Sequence, residues 1–147
     1  MAAPTVGTTI TRTLVIEGRP YAIDEIPITF DASSDACSLV LSATNAPSLA
    51  GGQFASGSQR MVWLWGFMAK NTSATDTFVP FMDVNSRRIV TLDATSAANG
   101  HCTTGNFERS PLPFEAAIGT TLTIDKGETG SAGAGTITLR LGPTGVM

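Results

Sequence analysis

Apolar and polar positions alternate along most of this chain with a period of two, and β-branched residues are frequent inside the alternating runs. That period belongs to strands, whose side chains point to opposite faces in turn. No segment carries apolar residues at i, i+3, i+4 and i+7 over three turns, so helices are not predicted. The runs predict strands over Thr9–Ile16, Ile26–Phe30, Ala36–Ala43, Arg60–Lys70, Thr77–Val84, Arg87–Asp93, Leu112–Ile118, Thr120–Asp125 and Thr136–Leu141. Pro27 marks the second as an edge or a strand start, and Pro80 interrupts the fifth. Asn45–Ser58 and Ala94–Pro111 read as polar loops, Asn71–Asp76 as a hairpin-type connection and Asn85-Ser86 as a tight turn. Glycine-rich Lys126–Gly135 reads as a flexible hairpin before the last strand. About eight short strands separated by turn clusters predict an all-β fold, a β-sandwich or jelly roll with long polar loops. A single domain over residues 13–147 is expected, preceded by an N-terminal arm over residues 1–12.

The stretch Arg60–Lys70, "RMVWLWGFMAK", departs from this pattern and holds both tryptophans of the chain. Strict alternation puts Met61, Trp63, Trp65 and Phe67 on one face and Val62, Leu64 and Met68 on the other. A sheet with one wet face alternates apolar with polar, so a strand apolar on both sides is covered on both. One face packs on the second sheet of the sandwich. The other is covered by a loop of the same chain, such as Asn45–Ser58, or by a second protein. Val62, Leu64 and Met68 are therefore candidate interface residues. Val6 and Ile10 near one end, and Val146 and Met147 near the other, join them as candidate anchors for a terminal arm that extends a neighbour's sheet edge.

Charged residues make up 14% of the 147-residue chain, against about 25% in ordinary soluble domains. The surface is expected to be covered by hydroxyls more than by charges. The net charge of -3 and the scattered cations argue against a nucleic-acid partner, which demands a basic patch. The apolar run Met61–Ala69 is far shorter than the ~20 residues of a membrane span, and the first residues lack the pattern of a signal peptide. No membrane partner is expected.

Candidate chemistry is sparse. The one histidine, His101, stands beside Cys102 in a polar loop that gives the pair no fixed geometry. Structural zinc takes about four Cys or His ligands, and the chain has one His and two Cys. Cys37 and Cys102 read as free thiols, with a disulfide open only if the fold brings them together. "GETGSAGAG" lacks the Lys-Ser/Thr end of a phosphate loop, and no G-x-S-x-G occurs. No cofactor, metal or catalytic residue is expected, and the chain reads as a structural or binding protein rather than an enzyme.

The stretch "VWLWGFMAKNTSATDTFVPFMD", a long polar loop, and "SPLPFEAAIGTTLTIDKGETGSAGAGTITLRL" together carry a resemblance. Gly66 and Asn71 close one strand and Asp83 another. Pro111–Pro113, Gly119, Leu122–Ile124 and the glycines of Gly127–Gly135 follow. Over residues 62–141 the chain resembles head decoration (cement) proteins of tailed bacteriophages, on motifs that are mainly turn chemistry. The resemblance implies a β-sandwich homo-oligomer, a dimer or a trimer, whose partner is the major capsid protein. It implies a place on the outer capsid surface of the virion after synthesis in the host cytoplasm, and a role in stabilising the shell across subunit joints.

Two other readings stand beside it. A tail or fibre-associated module would bind a surface glycan, with His101, Phe107, Glu108 and Arg109 as the loop best equipped for it. A hydrolase would use carboxylates among the 12 acidic residues, whose spacing shows no clustering that favours one.

Overall fold

The computed structural model describes residues 3–31, 36–49, 59–72, 77–92, 101–106 (backbone only), 110–127 and 134–144. Among the described residues there are eleven strands and no α-helix. They are β1 (Thr5–Val6), β2 (Ile10–Ile16), β3 (Arg19–Phe30), β4 (Cys37–Val40), β5 (Arg60–Asn71), β6 (Phe81–Val84), β7 (Arg87–Thr91), β8 (His101–Asn106), β9 (Leu112–Ala116), β10 (Thr121–Asp125) and β11 (Gly135–Gly142). All pairings are antiparallel. A seven-stranded sheet runs β3-β11-β5, with β1 and β2 end to end along the outside of β3 and β9 and β8 end to end along the outside of β5. A four-stranded sheet runs β4-β10-β6-β7.

The chain is thus an all-β sandwich. Ile26, Ile28 and Phe30 of β3, Val62, Leu64, Phe67 and Ala69 of β5, and Ile137, Leu139 and Leu141 of β11 form the inner face of the large sheet. They pack on Leu39, Met82, Val84, Leu122 and Ile124 of the small one. Burying each such side chain contributes about 1.5–3 kcal/mol. Cys37 is buried in the same core as a free thiol, and desolvation by burial pushes its pKa up.

β5 does not keep strict alternation. Arg140 of β11 pairs with Gly66 but Leu141 pairs with Leu64, so Trp65 is an extra residue, a β-bulge. The bulge reverses parity. Phe67 turns into the core beside Val62 and Leu64, and Met68 moves to the face that carries Trp63 and Trp65. Val62 and Leu64, expected as interface candidates, are fully buried inside the chain and offer no surface.

Pro27 lies inside β3 rather than at its start, and it explains why the outer ladder is broken there. Gly7 donates its N–H to the Pro27 carbonyl at 2.8 Å, so the Pro27 backbone faces the β1–β2 side. Its nitrogen carries no hydrogen to donate. The register with β3 shifts between Val6 and Ile10 at this point, leaving two strands where one would run. Both pair with this chain's own β3, so the arm boundary expected at residue 12 falls within β2.

Three connections differ from expectation. The strands on either side of Asn71–Asp76, β5 and β6, belong to different sheets, and so do β10 and β11 around Lys126–Gly135. Both segments are crossovers, not hairpins. The polar stretch Ala94–Pro111 contains a strand, β8, paired to β5. The tight turn at Asn85-Ser86 is as expected: both residues have positive φ, 51° and 63°, as a two-residue hairpin between twisted strands demands.

Candidate docking face and edge cleft

The outer face of the large sheet is built by the residues that alternate with the core. β2 contributes Ile10, Arg12, Leu14 and Ile16; β3 contributes Tyr21, Ile23 and Glu25; β5 contributes Met61, Trp63, Trp65 and Met68. Tyr21, Ile23 and Trp65 make a second buried cluster, with Leu14, Ile16 and Trp63 half-buried around it. The Tyr21 and Trp65 rings lie 5.1 Å apart at 46°, a favourable tilted contact. Residues just after β11 cover part of this cluster: the Trp65 indole N–H donates to the Thr144 carbonyl at 3.1 Å. Gly142 makes that crossing possible, because a Cβ there would lie 2.8 Å from the indole nitrogen.

Beside the cluster lies a charged strip. Glu25 accepts from Arg12 on β2 and, at 3.0 Å, from Arg140 on β11. Desolvation by burial pushes the Glu25 carboxyl up, but its hydrogen bonds to Arg12 and Arg140 and their charges together outweigh this and hold it below the usual range. A carboxyl depressed in the folded state adds stability above its unfolded pKa of about 4.3, and that stability is lost as pH falls through the lower folded value. The stability gap between wild type and Glu25→Gln is therefore expected to be constant at neutral pH, to start closing as pH falls past about 4.3 and to vanish only below the lower folded value, as read in urea melts. A gap independent of pH would show that the ion pairs contribute nothing.

The sandwich is open along one side, between β7 of the small sheet and β9 of the large one. A cleft of about 580 Å³ lies there, with Asn85, Arg87, Arg88 and Glu115 around apolar Leu112 and Phe114. Arg88 is committed locally: its guanidinium sits 3.8 Å above the Phe81 ring, pairs with Asp83 and donates to Thr91 Oγ1 at 3.1 Å. Arg87 and Glu115, both exposed, are the charges left to meet a ligand.

The residues expected from sequence are dispersed. Val6 and Ile10 are exposed on β1 and β2, 38% and 50% accessible, and Met68 is half-buried on the outer face. Val146, Met147, Phe107, Glu108 and Arg109 lie outside the described residues. His101 begins β8, with Asn71 as its register partner. Sequence reasoning missed the cleft, whose walls are distant in the chain. Among the described residues, no group of three or more His, Cys, Asp or Glu is placed to hold a metal ion.

No protein-family model matches the chain, and no curated protein matches it. Among solved structures, the native structure of a family 35 carbohydrate binding module from Clostridium thermocellum is similar at 10% identity, over 94% of this chain and 90% of that one. Its TM-score is 0.33, too low to establish a shared fold.

Proposed function

We propose that this β-sandwich is a virion structural protein, a decoration (cement) protein that docks on the outside of the major capsid shell and stabilises it across subunit joints without chemistry of its own. One observation carries the reading. The outer face of the large sheet, which would be polar in a sandwich working alone, keeps Ile10, Leu14, Ile16, Met61, Trp63 and Met68 exposed or half-exposed. Clustered apolar side chains of this kind mark surfaces that meet another protein. The low charge of the chain and its sequence resemblance over residues 62–141 support the same reading. Docking of this type draws on apolar burial, at about 25 cal/mol per Å², less the cost of association. Repeated placement on a lattice raises the effective affinity of each copy.

A second reading has its own observation. The edge cleft has the size of a small-ligand site, which spans about 300–1,000 Å³, and it pairs an apolar floor with Arg87, Asn85 and Glu115 at the rim. A glycan-binding module would use it. The two readings separate in one comparison. The decoration reading expects the protein to co-sediment with expanded, DNA-free heads of the phage that encodes it and to leave a glycan array blank. Saturable binding to a glycan, abolished by Arg87→Ala, with no sedimentation on heads, would replace it by the second.

A further inference from the structure

We infer that the β2 edge joins two copies of this chain, pairing antiparallel about a twofold axis through Thr13. Edge strands are normally guarded by shortness, proline, charge or a bulge. Most edges here with described side chains are guarded. β4 has four residues and β1 two, β9 contains Pro113, and β7 carries Arg87 and Arg88 and a register break against β6. β2 is the least guarded, because its one charge, Arg12, is paired with Glu25 of the neighbouring β3. It has seven residues, "ITRTLVI", with no proline and an unbroken register along β3. Of its side chains, Val15 is 69% and Ile10 50% accessible, the two highest values among the exposed large hydrophobics apart from Val40.

The direction of its backbone follows from β3. The Pro27 carbonyl faces the β1–β2 side, so the odd-numbered residues of β3 do likewise. Their register partners are Ile10, Arg12, Leu14 and Ile16. Thr11, Thr13 and Val15 therefore aim their N–H and C=O groups outward, at the open edge.

A second β2 satisfies these groups in one register best. Centred on Thr13, it sets Thr13 against the other copy's Thr13 and Thr11 against the other copy's Val15, and all seven residues overlap. On the outer face, Ile10 then meets Ile16 and Arg12 meets Leu14 across the axis. Sliding the centre to Arg12 would oppose two guanidinium groups directly, and sliding it to Leu14 would bring Glu17 opposite Thr11 and shorten the overlap. In the centred register each Arg12 stays paired with its own Glu25. The contact is isologous and consumes the edge that makes it, so it closes at two copies instead of growing into a fibre. It also places the two outer sheet faces side by side as one platform.

The test uses the full chain free in solution, so its outcome is separate from shell binding. Light scattering after size exclusion is expected to give about twice the 15.2 kDa chain mass. Val15→Lys is expected to raise the dimer dissociation constant at least about tenfold, with a melting temperature equal to wild type at concentrations where both are monomeric, while Val40→Lys on the small sheet leaves the dissociation constant unmoved. Facing Thr13 Cα atoms in a hydrogen-bonded pair would lie about 5.5 Å apart, within disulfide range. Thr13→Cys, in a Cys102→Ser background with oxidised glutathione, is therefore expected to form a covalent dimer, and Val40→Cys is not. A monomeric mass at every concentration, or cross-linking no faster through position 13 than through position 40, would overturn the inference.

Discussion

Trp65→Ala is expected to remove about 3–5 kcal/mol of stability, the range for emptying a fully buried aromatic site. A small domain has about 5–15 kcal/mol in all, so the variant would stand near the limit of folding. Three losses combine in that figure. The indole volume disappears from a site with no exposure. The Tyr21 ring loses its partner at 5.1 Å. The Thr144 carbonyl loses its donor, which also frees the covering segment after β11. Trp63→Ala is expected to cost less than half as much, because Trp63 is only half-buried beside the cluster. Urea unfolding measures both: the midpoint should fall far more for Trp65→Ala, with a similar slope for the two. Equal shifts would mean that the outer cluster is not the closed pocket described.

Asp24→Ala is the second large effect. Asp24 is completely buried, and its carboxylate accepts from Thr11 Oγ1 at 2.8 Å, Ser48 N at 2.9 Å and Ser48 Oγ at 2.8 Å. It thus fastens both β2 and the turn that follows β4 to the middle of β3. Hydrogen bonds to a charged group contribute about 1.5–3 kcal/mol each, and three on one carboxylate are not additive. A total loss of about 3 kcal/mol is expected by chemical denaturation, with Asp24→Asn losing less because one acceptor oxygen survives. A change under about 0.5 kcal/mol, the level of an ordinary surface substitution, would contradict the clamp.

Most strands were legible because their signal is local. The period of two located β2, β5, β7, β9, β10 and β11 to within a residue or two at most ends, and Asn85-Ser86 fixed the β6–β7 hairpin. Residues 19–25 were missed as part of β3. The signal was there in Glu17-Gly18, a two-residue turn with φ of 51° and 79°, but glutamate is not a residue that announces a left-handed position. β8 was hidden for another reason: "HCTTGN" lacks apolar alternation, and its place follows from pairing with β5. The bulge at Trp65 is likewise set by β11, seventy and more residues away, and a local parity count cannot contain it. That one inserted residue parted Met68 from Val62 and Leu64: Phe67 joined those two in the core, and Met68 went to the outer face. The partition of strands between sheets was also beyond a local reading. Gly- and Ser-rich segments look the same whether they turn a hairpin or cross the sandwich.

The central claim is that the outer face of the large sheet is what this protein presents to a shell. Met68→Glu tests it most directly, since the side chain is half-buried on that face and outside the core. Ser38→Glu, exposed on β4 of the opposite sheet, serves as the control. The dissociation constant of each variant on expanded, DNA-free heads is the measurement. Met68→Glu is expected to bind at least about tenfold more weakly than wild type, which corresponds to about 1.4 kcal/mol, while Ser38→Glu binds as wild type does. Equal affinity for wild type and Met68→Glu, with both folded, would contradict the claim.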